Sequence, residues 1–232
     1  GPYSYHQGNP YIKPSYFNSI NVSWSYKNKL VIGTGFSAVK KPMSYGYRKY
    51  DNSNSSIGTF LNFSEGKLYN SNISYTTKLF KGKWVSINSL NFLHSELPDF
   101  DSQIRHHNNY ALNTVNNISL PTKISMELSA FYNSRLLDGT VLRGDYYGVS
   151  LGFSKQVLRS KGSLKLSCTD VFNTQVFHNR TNGAGININA YWKPESRFAN
   201  LLFTYRFGNL NVKANKNRTT GIEDEKNRMG IN

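Results

Sequence analysis

From Ile20 the chain places Ile20, Val22, Trp24 and Tyr26 at every second position, with Asn21, Ser23 and Ser25 between them. Successive side chains of a β-strand point to opposite faces, so this stretch has one apolar and one polar side. The rhythm returns in Ile124, Met126, Leu128, Ala130 and Tyr132, and in Tyr147, Val149, Leu151 and Phe153. It returns again in Leu164, Leu166 and Cys168, and in Leu201, Phe203, Tyr205 and Phe207. Helical periodicity is almost absent. Such a chain folds into strands that separate an apolar environment from a wet one.

Composition says which apolar environment. Hydrophobic residues make up 38% of the 232 residues, below the usual globular share, yet 14% are aromatic. The aromatic load argues against disorder. One greasy face and one wet face suit a transmembrane β-barrel. No run of about 18 apolar residues occurs, which excludes a transmembrane helix and leaves a barrel untouched. The lone Cys168 allows no internal disulfide and reads as a small hydrophobe on its strand. The net charge of +15 is spread through turns, loops and tail, which suits anionic lipid and not nucleic acid. The opening GPYSYHQGNP reads as a start inside a longer protein or after processing, so export is not directly legible.

The pattern predicts strands over 19–26, 30–40, 68–79, 83–94, 109–120, 122–132, 146–157, 163–177 and 198–207. The connections alternate in length. Lys27–Lys29, Lys81–Gly82, Pro121 and Leu158–Gly162 are short; Lys41–Lys67, Ser95–Asn108, Asn133–Tyr146 and His178–Arg197 are long. Outer-membrane barrels have short periplasmic turns and long extracellular loops, so this alternation puts the end of the chain in the periplasm. Trp84–Leu93 carries apolar residues of both parities and predicts a bulge or a protein-covered face. GININAYW at 185–192 predicts a hairpin within a loop and not a tenth spanning strand. The expected organisation is an extracellular-side lead-in at 1–18, transmembrane strands over 19–207 and a polar periplasmic tail at 208–232. The fold expected is all-β: about 9–10 strands of a larger antiparallel up-and-down barrel.

Four segments add a family likeness. QGNPYIKPSY at Gln7–Tyr16 resembles a GNP-x-L-x-P lead-in, and Lys83–Leu93 a K-W-x-S-x-N-x-x-L strand. LSCTDVFNTQVF at Leu166–Phe177 resembles a penultimate strand with a D-[IV]-F-N-T element. TYRFGNLNVKANKNRTTGIEDEKNR resembles a last strand with an Arg/Glu-rich tail. In this order they resemble the outer-membrane β-barrel proteins of Bacteroidetes related to TonB-dependent receptors. The resemblance implies an intact protein with an N-terminal plug and a barrel of about 22 strands. It also implies uptake of a glycan, peptide or siderophore through the TonB system.

No nucleophile elbow, phosphate loop or paired-carboxylate motif is present, so no enzyme and no cofactor is expected. His106 and His107 near Asp99 and Asp101 fit no standard zinc spacing, and no metal is expected from sequence. Leu201, Phe203, Tyr205 and Phe207 look like the terminal signal read by the barrel-assembly machinery, a strand edge open to β-augmentation. Tyr45, Tyr47 and Arg48 in one loop and Trp192, Lys193 and Arg197 in another are candidate ligand contacts. Lys213, Lys216, Arg218, Lys226 and Arg228 are candidate docking residues for a periplasmic partner. Expected partners are outer-membrane lipid and lipopolysaccharide, the rest of the barrel and its plug. Alternatives are a barrel serving as receptor or scaffold without transport and, more remotely, a soluble glycan-binding β-sandwich.

Overall fold

The computed structural model describes residues 4–49, 55–98, 103–139, 141–183 and 186–207. The spanning strands are β2 (Tyr16–Tyr26), β3 (Leu30–Lys40), β6 (Glu65–Leu79), β7 (Trp84–Pro98) and β8 (Ile104–Leu120). They continue as β9 (Ile124–Asn133), β12 (Tyr146–Val157), β13 (Gly162–Thr169) and β16 (Phe198–Tyr205). Together they form one nine-stranded sheet in the order β16-β13-β12-β9-β8-β7-β6-β3-β2, and every neighbouring pair is antiparallel. All nine expected strands are therefore present as a simple meander. Among the described residues neither β2 nor β16 has a second partner strand, so the sheet has two open edges.

The long connections are folded. β4 (Met43–Lys49) and β5 (Ser56–Asn62) form a hairpin, and β1 (Ser4–His6) adds to β5 in parallel. The lead-in is tied down as well: Asn9 Nδ2 donates to the Phe60 carbonyl (2.9 Å), and Lys13 N donates to Asn62 Oδ1 (2.7 Å). β10 (Leu136–Asp138), β11 (Val141–Arg143), β14 (Phe177–Gly183) and β15 (Ile186–Trp192) form a separate four-stranded sheet. Ile186–Trp192 is thus an arm of a loop hairpin with β14, as its disturbance of the short–long rhythm implied.

Register assigns the faces. Ile20, Val22, Trp24 and Tyr26 pair with Phe36, Thr34, Ile32 and Leu30. The same face continues through Ile73, Leu90 and Leu112 and through Leu151, Cys168 and Ala199. This face is bare: Ile20 is 72% exposed and Leu201 66%. Among the described residues the buried hydrophobic ones are Val39 and Ile57. A water-soluble chain of this length needs a large apolar core. Here the apolar side chains line the outside of a sheet, which is stable only against lipid.

Four tight turns join the strands at one end. Each contains two or three consecutive residues of positive φ: Lys27–Asn28, Phe80–Gly82, Thr122–Lys123 and Leu158–Ser160. That handedness matches the right-handed twist of a two-stranded ribbon.

The structure corrects three expectations. First, β7 and β8 run on to Pro98 and from Ile104, so Glu96 and His106 lie on strands and not in a loop. Backbone pairing continues past the apolar stretch, where the polar outer-face side chains of His94, Glu96, His106 and Asn108 contact one another across the two strands. Second, β13 ends at Thr169 and not at 177, because Asp170 turns to φ 44° and folds the chain back. Third, of the two readings of Trp84–Leu93 the bulge is overturned, because β7 pairs in unbroken register on both sides. Its outer face instead carries a polar chain: Trp84 Nε1 donates to Asn116 Oδ1 (3.0 Å), and Asn116 Nδ2 donates to Thr114 Oγ1 (2.9 Å). Thr114 Oγ1 donates to Asn88 Oδ1 (2.8 Å), and Asn88 Nδ2 to Ser86 Oγ (3.0 Å). Side chains that satisfy one another in this way are tolerated beside hydrocarbon.

Candidate functional site

The inner face of the sheet carries the side chains of opposite parity, and at the loop end it continues onto the four-stranded sheet. Phe131 of β9 packs on Tyr146 of β12 (ring centroids 5.4 Å). Tyr146 stacks on Phe177 (4.6 Å, 19°), and Phe177 stacks on Trp192 of β15 (5.1 Å, 15°). Four rings thus climb from the spanning sheet onto the loop sheet. Trp192, at the top, is 62% exposed. Gly148 makes room for the ladder: a Cβ there would sit 3.1 Å from the Phe131 ring and 2.8 Å from Gln175 Nε2. Gln175 Oε1 in turn accepts from the Tyr146 hydroxyl (2.7 Å).

The face that presents Phe177 and Trp192 also presents Asn179 and Ala190, then Thr181 and Ile188, as the register requires. Opposite these last residues stand Tyr45 and Tyr47 of β4, with Asp138 and Arg143, around a cleft of about 170 Å³. Along β15, Trp192 and Ile188 are four residues apart, roughly 13 Å. The two candidate loops therefore meet on one inner surface, though not at one point. Tyr45 is held by an edge contact to Phe60 (5.3 Å, 77°) and by its hydroxyl 2.5 Å from His6 Nδ1. Burial, and secondarily Tyr47, push the Tyr45 phenol above its ordinary value, so it remains a hydrogen-bond donor at neutral pH. Arg143 pairs with Asp138, and Ser44 Oγ donates to Asp138 Oδ1 (3.1 Å).

A second element fixes the ladder. Asp170, fully buried, accepts from the backbone N–H of Thr174 (2.9 Å) and of Gln175 (3.1 Å), and from the Ser196 hydroxyl. Burial alone would raise its pKa. The Ser196 and Thr174 hydroxyls and the two N–H groups outweigh burial and hold it below the usual carboxylate value. Nearby, Lys193 Nζ donates to the Asn173 carbonyl (3.1 Å), and Thr169 Oγ1 donates to the Ser196 carbonyl (3.0 Å). Lys193 is therefore a tether of the strap before β16, and Arg197 lies exposed in that strap. Arg48 lies on β4.

Leu201, Phe203 and Tyr205 stand on the outer face of the open edge strand β16, and Phe207 follows it, 87% exposed. Lys213, Lys216, Arg218, Lys226 and Arg228 lie outside the described residues, as do Asp99 and Asp101. Sequence reasoning missed Phe131, Tyr146 and Phe177. Their signal was present as aromatic residues of inward parity near strand ends, where polar lining was the expectation.

The model of the outer membrane protein beta-barrel family matches residues 1–205. Among solved structures, the outer membrane transporter YddB from Escherichia coli is similar, with a TM-score of 0.47 and 10% identity over 85% of this chain and 33% of that one. The chain spans about a third of the length of that protein. No curated protein matches it closely in sequence.

Proposed function

The chain belongs to the outer membrane protein beta-barrel family, and from that premise we propose that it forms one wall and the folded loops of a TonB-dependent nutrient receptor. The observation that carries this reading is the inward ladder Phe131–Tyr146–Phe177–Trp192. Stacking covers faces of Tyr146 and Phe177, so the ladder buttresses Trp192 at the exposed rim and offers that ring to a ligand, with the edges of the rings below it leading inward. Among glycan, peptide and siderophore, a glycan fits a rigidly held, exposed ring such as Trp192 best, because a sugar ring packs its flat apolar face on an aromatic side chain. The Tyr45 hydroxyl, Arg143 and Asn179 add polar groups that fix orientation.

The rest of the reading follows the sequence motifs. A plug and the remaining strands complete the barrel and cover the edges of β2 and β16. The assembly machinery captures β16 by its open edge. The polar tail lies in the periplasm, and the source is a member of the Bacteroidetes.

Titration of the intact barrel in detergent with oligosaccharides, peptides and ferric siderophores tests the proposal. Oligosaccharide binding that weakens tenfold or more in Trp192→Ala and Phe177→Ala supports it. Binding indifferent to both substitutions, or no binding, overturns it. Binding without TonB-dependent uptake would assign the barrel a receptor role without transport.

A further inference from the structure

Toward the loop ends of β7 and β8, three metal-binding side chains converge on the outer face. Glu96 of β7 is paired directly with His106 of β8, and His94 lies two residues before Glu96 on the same face. Their donor atoms all lie within 4.8 Å of one another. His94 Nε2 is 3.7 Å from Glu96 Oε1, and His106 Nδ1 is 3.9 Å from the same oxygen. The imidazoles of His94 and His106 lie nearly parallel, 5.8 Å apart.

We propose that His94, Glu96 and His106 bind a divalent transition-metal ion of the zinc class at the extracellular rim. Two imidazoles and one carboxylate are a common three-ligand set for zinc, with water in the fourth position. Tetrahedral zinc, with bonds of about 2.0–2.1 Å, needs donors roughly 3.3 Å apart. The two distances to Glu96 close to that separation by side-chain rotation alone, and His106, at 62% side-chain exposure, is free to swing.

Three neighbouring contacts prepare the site. His94 Nδ1 lies 2.7 Å from Asn108 Oδ1, an acceptor that keeps the proton on Nδ1 and leaves the Nε2 lone pair for the metal. Lys67 Nζ engages the other carboxylate oxygen, Oε2 at 3.9 Å, so Oε1 remains available. Tyr69 packs against His94 (5.8 Å) and forms one wall. The nitrogen donors select against magnesium and calcium, which take oxygen ligands.

The test uses the intact barrel, without a histidine tag, stripped by chelator and titrated calorimetrically with zinc chloride. One equivalent should bind with micromolar or tighter affinity, and magnesium chloride at the same concentration should give no heat. His94→Ala, Glu96→Gln and His106→Ala should each weaken zinc binding tenfold or more, whereas His178→Ala should leave it unchanged. Exposed His106 tolerates substitution without a folding penalty. X-ray absorption at the zinc edge of the wild-type protein, which requires no variant, should show two imidazoles. The proposal is overturned if the wild type binds no zinc, or if the three variants bind it as the wild type does.

Discussion

Ser44 of the first surface hairpin donates a 3.1 Å hydrogen bond to Asp138 of the third loop, 94 residues further along the chain. The same carboxylate pairs with Arg143 across the β10–β11 turn. One acidic side chain thus joins two loops that the meander holds apart. Asp138→Ala is expected to loosen the β4–β5 hairpin from the four-stranded sheet by about 1 kcal/mol, since the pair is partly solvated. Hydrogen exchange should quicken in residues 43–49 and 136–143 while the spanning strands stay protected.

Asp170 predicts a pH effect with a definite sign. Its carboxyl is held below the ordinary aspartate value of about 3.9. Its stabilisation is therefore complete well above that value and is lost as pH falls through the lower, folded-state value. The Ser196 strap and the 170–175 turn should open at strongly acidic pH and stay closed from about pH 5 upward, as followed by Trp192 fluorescence. Asp170→Ala strands the Thr174 and Gln175 N–H groups, costs about 1–3 kcal/mol, and should abolish this acid transition.

The D-V-F-N-T motif shows what sequence could and could not convey. It pointed to a position near the chain's end, but its alternation ran on from β13 and read as more strand. Only the three-dimensional convergence of Thr174, Gln175 and Ser196 on one carboxylate shows it to be a turn. Likewise Trp84, Ser86 and Asn88 of the K-W-x-S-x-N motif were visible as letters, while Thr114 and Asn116 that satisfy them lie 26 to 32 residues away. The nine strands were legible because each repeats a period of two against the same two solvents. The aromatic ladder was not, because stacking between β12, β14 and β15 depends on a loop sheet that no local pattern encodes.

The assigned parity of β7 is testable at neighbouring positions. Leu90 faces outward, opposite Ile73 and Leu112, while Asn91 faces the lumen opposite Asn72 and Ala111. Leu90→Arg should destabilise insertion by about 2–4 kcal/mol, and Asn91→Arg by well under 1 kcal/mol. Urea titrations of folding into lipid vesicles would separate the two.

The left-handed turns make a smaller prediction. Lys81 has φ 58°, where a side chain costs about 1–2 kcal/mol that glycine avoids, partly offset by the greater freedom of glycine in the unfolded chain. Lys81→Gly should raise thermal stability by up to about 1 kcal/mol in a detergent melting experiment.

That lipid and water lie on alternate sides of these strands is tested most directly by spin-label accessibility. With Cys168 replaced by serine, labelled cysteines are placed one at a time at positions 20 to 26 of the intact barrel in lipid bilayers. Collisions with membrane-soluble oxygen should peak at 20, 22, 24 and 26, and collisions with a water-soluble nickel chelate at 21, 23 and 25. Equal access of the chelate to both sets would contradict the membrane-wall assignment.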